Sequence, residues 1–339
     1  MIPSIENRTF NTEYMQSLLI SALLTTRRFY CVLPSRLEAL VSNENIDFTI
    51  SGDLPASSFL FSTAKGIFIY SADSGRVAKI LNGKYYGLVK YGDYWIVTRS
   101  NNIGRKTAGR LSDIFAITLK GKQVIYYKPL LWGIPGEVHQ IGTLNHCLYI
   151  PHTEYNQILY VPLKGLFGAK FPRSIFACGS MKLEIPRPAH LNSFFHDKEK
   201  HLIYLIAHNK TVHTGRCSDV LVCDEDFSKL DVVNTTGNSV HNICTLDGEI
   251  IYCDSINEKL IMGEKCIFEA DKFLRGLSIT DDSIFVGGTD LCPERSRRMS
   301  LDATIYVLDW DGKLLTRMLL PELGGVYEIR QLTEFDYAM

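Results

Sequence analysis

Histidine is the residue type in this sequence whose spacing most clearly suggests chemistry. His139, His190 and His241 follow one another at intervals of 51 residues, and each lies in a short segment of similar pattern. Neutral imidazole is the commonest metal ligand in proteins, and its pKa near neutrality also suits it to proton transfer. Three histidines at the same position of a repeat therefore predict a site at which their side chains converge.

The repeat extends to six segments of the chain. Five share one pattern, as in Val240-His241-Asn242-Ile243, and a sixth, Tyr85-Tyr86-Gly87-Leu88, fits more loosely. We call the second residue of each segment the repeat position. In chain order, the repeat positions hold Tyr86, His139, His190, His241, Arg275 and Tyr327. Their separations are 53, 51, 51, 34 and 52 residues, a spacing typical of repeated structural units.

A second strand-like segment follows each of the first five repeat positions after a short turn. In four repeats this segment ends 13 residues beyond the repeat position, at Arg99, His152, Asp254 and Gly288. In the repeat that contains His190 the turn is longer, and the equivalent residue is His208. Strands separated by turn signals such as Asp247-Gly248 are typical of antiparallel hairpins.

Strand-like segments that recur about every 50 residues predict an all-β fold, a six-bladed β-propeller with four strands in each blade. Residues 58 to 82 supply only three strands, so the first blade lacks its innermost one. The segment from Val326 to Leu332 has the pattern of an inner strand but no blade of its own. We therefore expect this C-terminal strand to pair with the N-terminal strands and close the ring, which leaves no open sheet edge between the first and last blades.

The predicted organisation places the propeller at residues 57 to 333 and a C-terminal tail at residues 334 to 339. Asn11 or Thr12 can cap a helix that runs to about Leu24, in which apolar residues recur at helical spacing. Residues 1 to 56 are thus expected to form a small, mainly helical appendage packed on the propeller. The alternative is an arm that binds a protein partner.

The topology of a propeller places the candidate residues at one end of its channel. The innermost strand of each blade runs along the channel and the second strand returns antiparallel beside it, so the start of the first and the end of the second share a rim. The residues expected at this rim are those at the six repeat positions together with Arg99, His152, His208 and Asp254. Five of the nine histidines belong to this set.

Three interpretations of this rim remain open. In the first, a divalent metal ion is bound by rim histidines and one carboxylate, drawn from His139, His190, His241, His152, His208 and Asp254. In the second, the histidines at repeat positions transfer protons without a metal, together with Tyr86 and Tyr327. In the third, these side chains bond to backbone and water and only line a wet channel.

Cations near the rim predict an anionic ligand. Arg99 and Arg275 are suited to hold a carboxylate or phosphate through charge-assisted hydrogen bonds. Three long loops follow second strands and should overhang the same rim, and they carry positive charges that include Arg105 and Arg216. Because the whole chain has a net charge of only −1, this local concentration favours a small polar or anionic ligand. The alternative is that the loop charges are simply solvated.

Composition argues against several other classes of protein. With 36 lysines and arginines against 37 acidic residues, the bulk charge does not favour nucleic acid or a membrane surface as a partner. No segment reaches the roughly 18 consecutive apolar residues needed to span a bilayer, and a signal peptide is not indicated. The nine cysteines are scattered without a CxxC pair, which favours reduced thiols in a cytoplasmic protein.

The last third of the chain resembles a family of uncharacterised bacterial six-bladed propellers. The resemblance is carried by four segments, Leu274 to Ile279, Ile284 to Gly287, Ile305 to Asp309 and Val326 to Ile329. It extends over about residues 130 to 332, including the strands that carry His190 and His241, and does not reach the first 56 residues. The family implies the propeller fold and no particular activity.

More distantly, the layout is similar to that of gluconolactonase-type and streptogramin-lyase-type propellers, which use one rim of the channel. Gluconolactonase-like enzymes hold their metal mainly with carboxylate and amide ligands. Since this rim carries histidines instead, their mechanism is not transferred to this chain.

These observations favour a small-molecule enzyme that acts at the histidine-rich rim on a polar, anionic substrate. The reaction classes that suit the rim are hydrolysis, elimination by a lyase and isomerisation, with or without help from a metal. The alternative is a non-catalytic propeller that binds a protein partner on the same face or through the N-terminal arm.

Overall fold

The computed structural model describes residues 41–101, 111–153, 155–183, 185, 189–228, 230–294 and 297–332. The helix expected between residues 12 and 24, the loop residue Arg105 and the tail over residues 334 to 339 lie outside these ranges. Within them, no helix is both long enough and apolar enough to cross a lipid bilayer.

The strands of the described chain form six small sheets, and inner strands of successive sheets contact one another around a ring. From the inside outwards, blade 1 contains β27 (Val326–Gln331), β3 (Phe59–Thr63), β4 (Gly66–Ser71), β5 (Arg76–Asn82) and β1 (Val41–Ile46). Blade 2 contains β6 (Lys84–Tyr91), β7 (Tyr94–Asn101), β8 (Leu111–Lys120), β9 (Gln123–Pro135) and β13 (Arg173–Ser174). Blade 3 contains β10 (Gly142–Leu144), β11 (Cys147–His152), β12 (Gln157–Pro162) and β14 (Gly179–Lys182).

The second half of the ring is built in the same way. Blade 4 contains β15 (Leu191–Asp197), β16 (Leu202–Ala207), β17 (Asp219–Asp224) and β18 (Leu230–Asn234). Blade 5 contains β19 (His241–Leu246), β20 (Glu249–Asp254), β21 (Lys259–Met262) and β22 (Lys265–Glu269). Blade 6 contains β23 (Phe273–Ile279), β24 (Ile284–Thr289), β25 (Ala303–Leu308), β26 (Leu314–Leu320) and β2 (Thr49–Gly52).

Helices are short in the described residues. The α-helices are α1 (Leu163–Phe167) and α2 (Thr211–Thr214), and two 3₁₀ turns span Ile175–Ala177 and Arg297–Ser300. The prediction of an all-β, six-bladed propeller is confirmed. So is its closure, because β27 pairs antiparallel with β3 and supplies the inner strand that blade 1 would otherwise lack.

The core consists of six apolar clusters, and each fills the space between two neighbouring blades. Central strands are therefore buried on both faces and read as continuous apolar runs rather than alternating ones. In β3, for example, every residue from Phe59 to Thr63 is buried. Since each cluster is built from two neighbouring blades, all six interfaces between blades must form before the apolar side chains are fully removed from water.

The segment before the propeller differs from the prediction. The described part of the expected helical appendage, residues 41 to 56, is not helical and instead forms the strands β1 and β2. β1 pairs with β5 on the outer edge of blade 1, and β2 pairs with β26 on the outer edge of blade 6. Only two residues, Asp47 and Phe48, separate these strands. Residues 41 to 52 therefore connect blade 1 to blade 6 on the outside of the ring, at the interface where β27 closes the ring on the inside. We call this segment the outer strap and this interface the seam.

Candidate functional site

Register shifts mark the repeat positions. In five blades the ladder between the first two strands is interrupted beside the repeat position, and in blade 3 the ladder begins only after His139. An extra residue at such a point bends a strand and redirects its side chains. His190 and Asn242 also adopt left-handed backbone conformations, with φ of 54° and 47°, which are uncommon for residues other than glycine.

Four imidazole rings form a closed square near the axis. The ring centroids are 6.1 Å apart for His139 and His190, and 5.3 Å apart for His190 and His208. The square continues with 5.0 Å between His208 and His241, and 6.3 Å between His241 and His139. The structure thus brings together the three histidines at repeat positions and His208 from the end of β16.

Arg275 lies beside this square, between two aromatic rings. Its guanidinium carbon is 5.3 Å from the centroid of Tyr86 and 4.8 Å from that of Tyr327, and its Nη2 donates to Nδ1 of His139. Stacking of this kind holds a guanidinium in a fixed orientation. No carboxylate of the described residues forms an ion pair with Arg275.

A lysine–glutamate pair also lies close to the tyrosines. Lys84 Nζ is 3.1 Å from Glu137 Oε1 and 4.8 Å from the ring centroid of Tyr86. Burial raises the pKa of Tyr86 well above its usual value, and the Glu137 carboxylate raises it further. Burial also raises the pKa of Tyr327. Both phenols are therefore protonated near pH 7 and act as hydrogen-bond donors.

All four imidazoles of the square are neutral near pH 7. Burial lowers the pKa of His190 to about 4, with help from the charge of Lys210, and that of His208 to about 3. Burial and the positive charge of Arg275 hold the pKa values of His139 and His241 well below the usual range. An anion placed among these rings would act in the opposite direction and raise their pKa values.

The partners of two imidazoles fix their tautomers. A guanidinium can only donate, so Nδ1 of His139 accepts from Arg275 and the ring proton lies on Nε2. The backbone N–H of Lys210 likewise donates to Nδ1 of His208 at 3.1 Å, so His208 also carries its proton on Nε2. These two rings offer N–H donors rather than lone pairs.

Two rings of the square, His139 and His241, line a small polar cavity together with Arg275, and we call this cavity the axial cup; His190 and His208 are not among its lining residues. Its volume is about 10 Å³, which is room for about one water molecule, and its lining residues are Tyr86, His139, Gln140, Asn192, Ser193, His241, Asn242, Arg275 and Tyr327. Further along the inner strands, the buried Glu328 binds Arg330 at 2.9 Å and Asn242 at 3.1 Å. Arg330 also donates to the backbone carbonyls of Leu88 and Leu277, which joins blades 1, 2 and 6 behind the cup.

Three residues predicted for the rim lie apart from the cup. The ring of His152 packs against Tyr155 at 4.9 Å, and burial lowers its pKa to about 4. Arg99 lies near the buried phenols of Tyr85 and Tyr127, whose pKa values it lowers against the stronger effect of burial. Arg216 is exposed on the loop after α2 and does not line the cup.

The arrangement gives the metal hypothesis no support. In the described ranges, no group of three or more histidine, cysteine, aspartate or glutamate side chains is placed to hold a metal ion. Asp254 accepts from the backbone N–H of Asn238 at 2.7 Å and from Asn257 at 2.8 Å, which suits a turn rather than a ligand set. A bound metal, proposed from the sequence, stays a prediction.

Several residues of the site were not found from the sequence. Lys84 and Glu137 each precede a repeat position by two residues, so aligning the repeat two positions further back would have revealed the pair. Glu328 and Arg330 follow Tyr327 by one and three residues on β27. They were missed because an inner strand at the end of the chain was read only for its apolar pattern.

Comparison with known proteins supports the fold. No model of a protein family matches the chain, and no curated protein is similar to it in sequence. A chain in the crystal structure of a nidogen/laminin complex superposes with a TM-score of 0.59 at 9% identity, covering 80% of this chain and 97% of that one. At this identity the similarity establishes the fold alone.

Two further solved structures are more distant. A "putative phosphatase" from Bacteroides thetaiotaomicron has a TM-score of 0.48 at 11% identity, covering 86% of this chain and 72% of that one. A "putative 6-phosphogluconolactonase" from Bacteroides uniformis has a TM-score of 0.47 at 10% identity, covering 77% and 81% of the two chains. These two similarities carry no argument about the chain, whose six-bladed fold is shown by its own sheets, and the resemblance of its last third to one bacterial family stays a prediction.

Proposed function

We propose that Arg275 binds a small anionic molecule at the axial cup and that the protein acts on this molecule as an enzyme by proton transfer. The observation that carries this proposal is Arg275, a half-buried guanidinium that lies in a polar cavity without a carboxylate partner among the described residues. A charge withdrawn from water in this way is costly unless an opposite charge joins it. A ligand anion supplies that charge.

The imidazoles divide into two roles in this proposal. His139, locked as an Nε2–H donor, helps Arg275 to bind the anion. His241 lines the cup, and its Nδ1 lies 2.9 Å from Ser255 Oγ, a hydroxyl that can donate or accept, so its tautomer is not fixed and it is the candidate for moving a proton. Because a bound anion raises the pKa of nearby imidazoles, substrate binding makes this base stronger when it is needed.

The reaction classes that fit are those in which a base removes a proton from the substrate or from water. Hydrolysis, elimination and isomerisation all meet this condition, and we propose the enzyme within these classes. Proton transfer by one well-placed group contributes roughly 10²–10⁴-fold to a rate.

The test is equilibrium titration of Arg275→Met with small anions, against Arg317→Met as the matched control. Arg317 pairs with Asp271 on the outside of blade 6 at 3.0 Å. Loss of a charged hydrogen bond of about 1.5–3 kcal/mol predicts about 10- to 100-fold weaker anion binding for Arg275→Met and no change for the control. Equal anion affinity in Arg275→Met and wild type would reject the cup as the binding site.

Turnover is tested separately, with a pool of small anionic compounds incubated with wild type and His241→Asn and analysed by mass spectrometry. We expect at least one compound to be consumed by wild type and to persist with the variant, while anion affinity changes only a few-fold. Binding without any conversion would remove the enzymatic part. Absence of both would favour the alternative, a propeller that binds a protein partner.

A further inference from the structure

The axial cup has the size of one water molecule. Its volume of about 10 Å³ is at the lower limit that admits a water and is too small for an organic anion. The anion that Arg275 binds therefore lies against the cup from outside, where solvent reaches this half-buried guanidinium. Because a buried water is retained by about three hydrogen bonds to polar groups, the lining decides whether the cup is a water site.

Gln140 offers this cavity an acceptor that lacks a partner. The residue is 3% exposed and lines the cup. Its backbone N–H donates to the carbonyl of Asn192 at 3.2 Å, which ties it to the inner strand of blade 4. Its side-chain Oε1 is buried and has no hydrogen-bond partner among the residues that the structure describes. A buried amide oxygen is costly to leave unpaired, and a water in the cup removes that cost by donating one O–H to it.

His241 offers a second acceptor on the same cavity. It is 7% exposed, and its Nδ1 lies 2.9 Å from Ser255 Oγ. The Ser255 hydroxyl also has the backbone carbonyl of Cys253 as an acceptor, at 3.5 Å. When Ser255 donates to that carbonyl, it accepts the Nδ1 proton of His241, and Nε2 then carries a lone pair. A water beside Gln140 and His241 can donate one O–H to each.

The donors of the cup complete the hydrogen bonds of such a water. Arg275 and His139 both line the cavity, and Nε2 of His139 carries a proton because its Nδ1 accepts from Arg275. Two acceptors and two donors match the two hydrogens and two lone pairs of a water molecule. Since the same donors bind the anion, a water held through its hydrogens directs its lone pairs toward the bound anion.

From these features we infer that the axial cup binds one water molecule between Gln140 and His241, and that this water is the second reactant in a hydrolysis. The inference rests on the proposed function and narrows its reaction class. His241 Nε2 takes one proton from the water while the water oxygen forms a bond to the electrophilic atom of the anion. The bond to the leaving group breaks with its electron pair, and the proton on His241 passes to that group. Gln140 retains the second hydrogen and orients the attacking oxygen.

The water site is tested by crystal structures of wild type and Gln140→Leu at a resolution that shows ordered waters. Wild type should hold one water within hydrogen-bond distance of both Gln140 Oε1 and His241 Nε2. Leucine cannot accept a hydrogen bond, so Gln140→Leu should lose this water. A wild-type cup without a water, or with one that does not contact Gln140, overturns the inference.

The role of the water is tested with an isotope label. The pool of small anionic compounds, with esters, amides and lactones among them, is incubated with wild type in ¹⁸O-labelled water and analysed by mass spectrometry. Hydrolysis adds one water across the broken bond, so the products should together contain one ¹⁸O, whereas elimination and isomerisation add none. Conversion without label overturns the inference and leaves the proposed enzyme standing. Absence of any conversion overturns the inference together with the enzymatic part of the proposed function.

A pair of variants tests the contribution of Gln140. In Gln140→Leu, conversion should become about 10- to 100-fold slower because the water loses one of its acceptors, while anion affinity stays near that of wild type because Arg275 is retained. Gln157→Leu is the matched control. Gln157 Oε1 is likewise buried without a partner in the described part of the chain, but it lies on β12 of blade 3 and does not line the cup. Equal rates in the two variants would contradict the inference, and the wild-type structure and label decide if Gln140→Leu fails to fold.

Discussion

At the scale of single residues, burial decides the protonation state of the histidines and makes stability depend on pH. His152 is 1% exposed, and burial lowers its pKa to about 4, whereas the unfolded chain has the ordinary value near 6.5. Between pH 6.5 and 4 the unfolded state therefore binds a proton that the native state does not. The free energy of unfolding must fall as the pH falls, by about 3 kcal/mol for this one histidine at pH 4.

Replacing His152 with Gln should remove the contribution of this histidine to the pH dependence of the free energy of unfolding. The free energy of unfolding, measured by urea titration, should fall less steeply for His152→Gln than for wild type between pH 6.5 and 4.5. The difference in slope should be up to about 1.4 kcal/mol for each pH unit. His201→Gln, on the 77% exposed side chain, is the control and should keep the wild-type slope. A His152→Gln slope equal to that of wild type would contradict the assigned pKa.

The negative charge of Glu137 predicts that its removal improves the binding of an anion. Glu137 lies next to Lys84 at 3.1 Å and opposes an anion in the axial cup. Glu137→Gln removes this repulsion and should tighten binding of inorganic phosphate, used as a test anion, about 3- to 10-fold at low ionic strength, and less at high salt because of screening. Glu44→Gln breaks a lysine pair of the same 3.1 Å length on the outer edge of blade 1 and should leave phosphate affinity unchanged. Weaker binding by Glu137→Gln would show that the carboxylate helps to hold the ligand.

The repeat in the sequence predicted most of the axial residues, because the first residues of inner strands share a register in every blade. Tyr86, His139, His190, His241, Arg275 and Tyr327 could be aligned by spacing alone. Which of the second-strand residues reach the axis could not be predicted in this way. His208 does so, but His152 turns toward Tyr155, because the direction of a strand-end side chain depends on loops that do not repeat.

At the scale of elements, the outer strap gives the propeller a second closure that the sequence did not reveal. Its strands are short and mostly polar, with the sequences VSNENI and TISG, and neither alternates in a way that marks a buried face. Their pairing is set by backbone hydrogen bonds to blade edges, and such bonds leave no trace in the side-chain pattern. Apolar residues at helical spacing before residue 24 favoured a helical appendage over residues 1 to 56, so the two strands were not predicted.

Phe48 links the strap to the core and gives a direct test of its importance. The side chain is half-buried and packs, with Ile46 and Ile50, against the apolar cluster between blades 1 and 6. Phe48→Ala should lower the free energy of unfolding by about 1–2 kcal/mol, since apolar contact is lost at the seam. Leu54→Ala removes a side chain that is 53% exposed and should cost much less. Equal urea midpoints for the two variants would show that the strap does not stabilise the seam.

At the scale of the whole molecule, closure of the ring and assembly of the cup depend on the same strand. β27 contributes Tyr327 to the cup, Glu328 and Arg330 to the hydrogen bonds behind it, and Val326 and Ile329 to the apolar cluster between blades 1 and 6. A chain cut before β27 exposes the edge of β3 and opens that cluster to water. Closure could be predicted from the sequence because the first blade is one strand short and the last segment has no blade.

Deletion of residues 326 to 339 should therefore abolish the cooperative unfolding transition or leave the protein insoluble, because one of six interdependent interfaces is lost. Deletion of residues 333 to 339 alone keeps β27 and is the matched control, with a melting temperature expected to equal that of wild type. Calorimetry of both truncations checks the prediction, and a peptide of residues 322 to 339 added to the longer deletion should restore part of the transition by refilling the inner position of blade 1. Because Tyr327 is part of that strand and lines the cup, anion binding should return together with the fold. A normal melting curve for the longer deletion would mean that the outer strap alone holds the ring closed.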